Sequence, residues 1–180
     1  MNAADCLRLR RSCRKFTAEP VSRDTLREIV ELARYAPSWK NTQIARYTVI
    51  GDRATKNELV EKCITNYPFN VKTLTRAAAM VVLSYETGLS GRSPDGSFDT
   101  DLKDGWELFD AGVAAQTFCL AAREKGVGTC VIGVFDAKAV HTALGLPENR
   151  KVACLIAVGY PEKWNDAPPR KETEELLSFL

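Results

Sequence analysis

The sequence predicts one domain that mixes helices with short buried strands, and three observations predict it. Its 180 residues, 45% of them hydrophobic, supply one core and fall short of two comfortable domains. The apolar runs Ala79-Met80-Val81-Val82-Leu83-Ser84-Tyr85 and Val152-Ala153-Cys154-Leu155-Ile156-Ala157-Val158 have the length of buried strands. Between them, from about Trp106 to Lys125, lies an alanine-rich stretch long enough for a helix of roughly 30 Å.

The elements follow in order. Ser22 caps a helix, Asp24 favours its positive end, and Val21 can staple to Leu26. Leu26, Ile29, Val30 and Ala33 share one face, and the helix should end near Ala36 because Pro37 disfavours helical geometry before it. The polar loop Pro37 to Gln43 is thus mounted on the end of a packed helix. Tyr47 to Ile50 reads as a strand with Gly51-Asp52 as its exit, and a second helix covers Ala54 to Cys63. Asn66-Tyr67-Pro68-Phe69-Asn70 breaks the chain, and Gly88 to Asp101 reads as a long loop or a lid.

In the alanine-rich helix, Trp106, Phe109, Val113, Thr117 and Leu120 form an apolar stripe, while Ala111, Gly112, Ala114 and Ala115 permit close backbone approach. Gly126 and Gly128 end it, and Thr129 to Ile132 reads as a strand. Asp136 caps a further helix toward Leu144, closed by Gly145 and Pro147. After the strand at Val152 to Val158, residues 162–180 form a tail with an apolar finish at Leu176-Leu177-Ser178-Phe179-Leu180. That finish wants cover, from its own domain or from a second subunit.

Charge narrows the partners. Twenty-five basic and 23 acidic side chains leave a net +2, so bulk electrostatics calls for neither nucleic acid nor an anionic membrane. No apolar run approaches the roughly 20 residues that span a bilayer, and Met1 to Leu9 lacks a signal-peptide core, which predicts a soluble, cytoplasmic protein. The six cysteines are scattered without a Cys-x-x-Cys pair and there is one histidine, so neither a disulfide framework nor a zinc site is expected. Cys13, among Arg10, Arg11, Arg14 and Lys15, is expected to have a lowered thiol pKa, although no base accompanies it.

The basic character is local. Arg10-Arg11-Ser12-Cys13-Arg14-Lys15 packs three arginines, a lysine and a hydroxyl into six positions, and guanidinium forks match phosphate oxygens. A phosphorylated cofactor or a solvated basic face explains such a run. Gly126-Val127-Gly128 follows a helix, and its third glycine would fall at Val131, so it is no dinucleotide fingerprint. No phosphate-binding Gly-x-x-x-x-Gly-Lys-Ser/Thr segment and no nucleophile elbow beside His141 occur.

Arg10-Arg11-Ser12-Cys13-Arg14-Lys15-Phe16 resembles the Arg-Arg-Ser-x-Arg-x-Phe opening of the nitroreductase family of FMN-dependent oxidoreductases. Ala36-Pro37-Ser38-x-x-Asn41-Thr42-Gln43, Gly126-Val127-Gly128-Thr129-Cys130, Leu144-Gly145-Leu146-Pro147 and Gly159-Tyr160-Pro161 are similar to that family's later segments, in the same order. The resemblance implies an α+β fold whose mostly antiparallel central sheet is flanked by helices, assembled as an intertwined homodimer with FMN at each subunit interface. It implies that Arg10, Ser12 and Arg14 contact phosphate, ribityl chain and pyrimidine side, with Arg11 at the matching basic position. Arg170 and Lys171 would return from the tail to the phosphate. Pro37, Ser38 and Asn41 would come from the partner subunit with Asn70 as a further candidate, and Ile132 and Gly133 would present backbone at the flavin edge.

The activity implied is hydride transfer from NADH or NADPH through FMN to a nitroaromatic, quinone or enone in a ping-pong cycle, with no side-chain catalyst. A non-catalytic FMN carrier or sensor, and a related flavin enzyme of reductive dehalogenation or flavin breakdown, are the alternatives. Three departures from the family pattern bear on substrate: Ile44-Ala45 in place of Pro-Trp, Trp39 in place of a small residue, and Val134 in place of a second glycine.

Overall fold

Two strands buried on both faces organise the molecule. The computed structural model describes residues 1–64 and 67–180. Strands β1 (Ala45–Ile50), β2 (Ala79–Glu86), β3 (Gly128–Ile132) and β4 (Arg150–Gly159) form one antiparallel sheet in the order β1-β2-β4-β3. β2 and β4 are central, which is why they read as unbroken apolar runs.

Alternation along each strand sorts the core into two layers. Met80, Val82, Leu155 and Ala157 face one side, packed with Leu59 and Val60 of α3 (Arg53–Cys63), Leu74 of α4 (Pro68–Arg76) and Val140 of α6 (Ala137–Ala143). Val81, Leu83, Ile156 and Val158 face the other, against Leu26, Ile29 and Ala33 of α2 (Arg23–Ala33) and Ala115, Phe118 and Ala122 of α5 (Gly105–Glu124). The architecture is α+β, with helices on both faces of an antiparallel sheet.

The caps at Ser22 and Asp136 form as the sequence predicts. Ser22 accepts the Thr25 N–H at 3.0 Å, and Asp136 accepts the Lys138 and Ala139 N–H groups at 3.0 Å each. α2 stops at Ala33 and not near Ala36, because its exit tightens into i→i+3 turns from Tyr35 to Leu32 and from Ala36 to Ala33. The break expected at residues 66–70 is a helix start: Pro68 opens α4 at a position whose N–H has no helical acceptor. Asn66 lies outside the described residues. Two short helices escaped the sequence reading, α1 (Ala3–Leu9), capped by Asn2, and α7 (Thr173–Leu176).

The stripe expected on the alanine-rich helix is not its buried face. α5 buries Glu107, Asp110, Ala111, Ala114, Ala115, Phe118, Cys119, Ala121 and Ala122, whereas Phe109 is 56% exposed. Small side chains let most of that face lie close to the sheet, with Phe118 as its large apolar member, while Leu108 and Phe109 turn outward.

Candidate functional site

After α1 the chain runs extended along the open edge of β3. Ser12 pairs in parallel with Thr129, the Cys13 N–H donates to the Thr129 carbonyl at 2.8 Å, and the Thr17 N–H donates to the Tyr160 carbonyl at 2.8 Å. Gly128 permits this docking: a Cβ there would sit 2.8 Å from the Cys13 Sγ. Cys13 and Phe16 turn into the core and Arg14 outward, with Arg10 and Ser12 half-buried.

The expectation of a lowered Cys13 pKa is corrected. Burial raises it first, Cys130 adds to the rise, and Arg123, a Thr129 hydrogen bond and Arg10 offset it only partly. The thiol is buried in the core and Arg14 and Lys15 are exposed, so sequence adjacency misjudged the local field.

Arg11 is engaged locally. Its Nη1 donates to the carbonyls of Arg8 and Arg10 at 2.6 and 2.7 Å, closing the C-terminus of α1. Arg14 reaches only the Ser12 carbonyl, at 3.4 Å. Among the described residues no ion pair includes Arg10 or Arg14.

β3 leads from this grip to the next candidates. Ile132 is buried, whereas Val131 on the opposite face is 49% exposed and Gly133 lies open. From α4, Asn70 donates through Nδ2 to the Val134 carbonyl at 3.3 Å, joining the loop after β3. Ser12, with Arg10 and Arg14 flanking it in sequence, therefore lies beside the start of the β3 edge strand, and Ile132, Gly133 and Asn70 stand at its far end. Unpaired cations beside an exposed apolar side chain and open backbone suit a ligand with a phosphate and a flat ring.

The Pro37 to Gln43 loop lies elsewhere. It carries left-handed backbone at Lys40 (φ 43), Asn41 (φ 57) and Gln43 (φ 50), a strain that surrounding contacts must hold. Asp110, 4% exposed, accepts the Trp39 N–H with both carboxylate oxygens and the Ser90 hydroxyl at 2.6 Å; Ser90 meets Thr42 at 2.9 Å. Ser38 accepts the Gln43 N–H at 2.9 Å, and Trp39 lies 4.6 Å from Trp106, centroid to centroid. Pro37 and Ser38 border a cleft of about 330 Å³ between α2 and β1, and Asn41 is exposed. Ile44, one of the departures, is fully buried against Tyr85 and Ala111.

Residues 88–101 close on themselves: the Asp99 N–H donates to the Gly91 carbonyl, and Arg92 stacks 3.9 Å above the Phe98 ring. Glu107 accepts the Gly88 N–H at 2.6 Å, and Lys40 pairs with Asp99 at 2.6 Å, so α5 and the Pro37 to Gln43 loop hold both ends.

One chain does not unite the candidates. Arg10 acts on Cys13 and Cys119, toward the end of α5 that holds Arg123, whereas Asp110 fixes the Pro37 to Gln43 loop near its start. The helical rise puts Asp110 and Arg123 about 20 Å apart. The tail is pinned at Trp164, whose ring lies 3.6 Å beneath the Arg123 guanidinium, but Arg170 and Lys171 beyond it are exposed. Arg170 donates only to the carbonyls of Pro168 and Pro169.

Sequence reasoning missed Asp110 and Glu107. Their signal was spacing, since both fall at helical intervals from Ala111, Ala114 and Phe118, which makes them acids on a buried face. Among the described residues, no three His, Cys, Asp or Glu side chains gather in a metal-holding group, and no helix is long and apolar enough to cross a membrane.

Known proteins resemble this chain over most of its length. A protein of Archaeoglobus fulgidus is 30% identical over 169 residues, spanning 90% of this chain and 88% of the relative. The oxygen-insensitive NADPH nitroreductase of Helicobacter acinonychis is 27% identical over 200 residues, spanning 95% and 93%. A Desulfovibrio desulfuricans protein crystallised in complex with FMN superposes with a TM-score of 0.76 at 25% identity, covering 100% of this chain and 98% of its own. The sequence model of the Nitroreductase family matches residues 7–160, from inside α1 to the end of β4, and the chain belongs to that family.

Proposed function

We propose that the protein is an FMN-dependent NAD(P)H oxidoreductase acting as a cytoplasmic homodimer. The division of the site carries this reading. The loop is tied to Asp110 and the grip lies toward the Arg123 end of α5, positions about 20 Å apart by helical rise, and a second copy that lays its loop beside the first copy's grip closes that gap. Leu108 and Phe109, 57% and 56% exposed on α5, and the exposed apolar finish of the tail offer the surface such a copy covers.

Each side chain then has a physical task. Arg10 and Ser12 hold the phosphate and ribityl chain, and Arg14 sets positive charge at the pyrimidine side. Arg170 and Lys171 swing with the tail to the phosphate, while Pro37, Ser38 and Asn41 of the partner subunit wall the ring. Gly133 offers unobstructed backbone at the flavin edge, and Asn70 fixes the loop that follows it. Bound there, FMN would supply the redox chemistry of a ping-pong hydride transfer from NADH or NADPH to a nitroaromatic, quinone or enone. The NADPH activity in the name of the Helicobacter relative and the FMN of the Desulfovibrio neighbour support this reading.

The test is the visible spectrum of FMN-reconstituted protein before and after anaerobic addition of NADH or NADPH. Bound flavin that bleaches supports the oxidoreductase. Bound flavin that stays oxidised favours a carrier or sensor, and a chain that retains no flavin overturns the assignment.

A further inference from the structure

Among the described residues, Lys56 is a buried cation without a counter-ion. It is 2% exposed, and its ammonium donates to the Ala77 carbonyl at the end of α4. An ammonium carries three donors, and one carbonyl accepts one of them. Burying a charge without a partner is costly, and burial together with the Arg53 charge pulls the Lys56 pKa below its ordinary value.

Lys56 lines a cleft of about 620 Å³ between α3, the end of α4 and the segment after Cys13. Lys15, Arg53 and Arg76 line the same cleft, with Glu162 as its carboxylate. Among the described residues none of these four cations enters an ion pair, Glu162 included. Asn57 also borders the cleft, and its side-chain carbonyl is buried without a hydrogen-bond partner. Four unpaired cations and an unfilled acceptor answer to an oxyanion that carries hydroxyl or protonated oxygen.

We propose that this cleft is a binding site for a phosphate group, separate from the Arg10 to Arg14 grip. It shares none of the candidate flavin residues. Arg53 and Arg76 supply guanidinium forks from the rim, Lys56 the buried charge, and Asn57 an acceptor for a phosphate hydroxyl. The site has room for more than inorganic phosphate, so a phosphorylated metabolite and free phosphate are its two sources.

The test is isothermal titration of FMN-saturated protein, whose flavin grip is already filled, with inorganic phosphate, pyrophosphate and 5′-AMP. Saturable binding of any of the three, weakened at least tenfold by Arg53→Ala or Arg76→Ala and abolished by Lys56→Met, is the expected result. Tighter binding of 5′-AMP than of phosphate identifies a phosphorylated metabolite, and the reverse identifies the free anion. No saturable binding to the unmodified protein, or equal binding by the Arg53→Ala and Arg76→Ala variants, overturns the proposal; both substitutions lie on exposed side chains and leave the core intact. If the protein retains no FMN, the same titration on the Arg10→Ala variant removes the grip's phosphate contact as a competing site and keeps the two readings distinguishable.

Discussion

The Asp110 carboxylate accepts the Trp39 backbone N–H with both oxygens, at 3.1 and 3.0 Å, across 71 positions of sequence. That contact fixes a loop with three left-handed non-glycine residues to the helix that packs on the sheet. Asp110→Ala leaves the Trp39 N–H and the Ser90 hydroxyl without their acceptor, so the loop gains freedom. The expected loss is about 2 kcal/mol of stability, measured by denaturant unfolding. On the role proposed for this loop, FMN affinity should fall as well, measured by flavin fluorescence.

Arg14 is exposed and in no ion pair, so its removal leaves the fold intact. Arg14→Ala should weaken FMN retention about tenfold or more with an unchanged melting temperature of the flavin-free protein, since a charge-assisted contact is worth roughly 1.5–3 kcal/mol. Undiminished flavin occupancy after gel filtration would count against the grip.

Gly128→Ala places a Cβ 2.8 Å from the Cys13 Sγ, 3.0 Å from its Cβ and 3.4 Å from the Gly159 carbonyl. The clash falls where the grip segment meets β3, and overpacking of this kind costs about 1–3 kcal/mol. Thermal unfolding should report that loss, and Cys13→Ala in the same chain should recover part of it by removing the sulfur. A double variant no more stable than Gly128→Ala alone would place the strain elsewhere.

Five thiols, Cys13, Cys63, Cys119, Cys130 and Cys154, have pKa values raised by burial, that of Cys154 to about 12. Tyr47 is likewise raised to about 12. For an acid whose folded pKa is raised, the folded state keeps its proton longer than the unfolded one. Stability is therefore full below pH 9, the ordinary thiol value, and declines as pH rises from 9 toward 12. Melting temperature against pH should fall over that window, and a thiol reagent at pH 8 should label the native protein far more slowly than the unfolded chain. Rapid native labelling of these five cysteines would contradict the burial that raises them.

Much of the fold was legible because its causes are local. β2 and β4 announce themselves as continuous apolar runs, and Ser22 and Asp136 cap helices from within three residues. α4 was hidden because Pro68 reads as a breaker unless it stands first, and α5 misled because its inward face is made mostly of small residues while Leu108 and Phe109 stand outside it. Spacing alone does not say which side meets the sheet.

The candidate site was legible as residues and not as a place. The grip and the loop stand out by composition, but the Ser12 pairing with Thr129 and the Asp110 hold on Trp39 join segments far apart in sequence. Cys13 shows the limit most plainly, since its neighbours in sequence are cations and its neighbours in space are other thiols and core.

The docking of Ser12 and Cys13 along β3 has a consequence for solubility. β3 ends the sheet, and an uncovered edge strand is a template for pairing with other chains. The residues proposed to grip the flavin also shield that edge, and they bring positive charge to it. A chain shortened past Arg14 would bare β3 and lose its charged guard in one step, so aggregation would accompany the loss of binding.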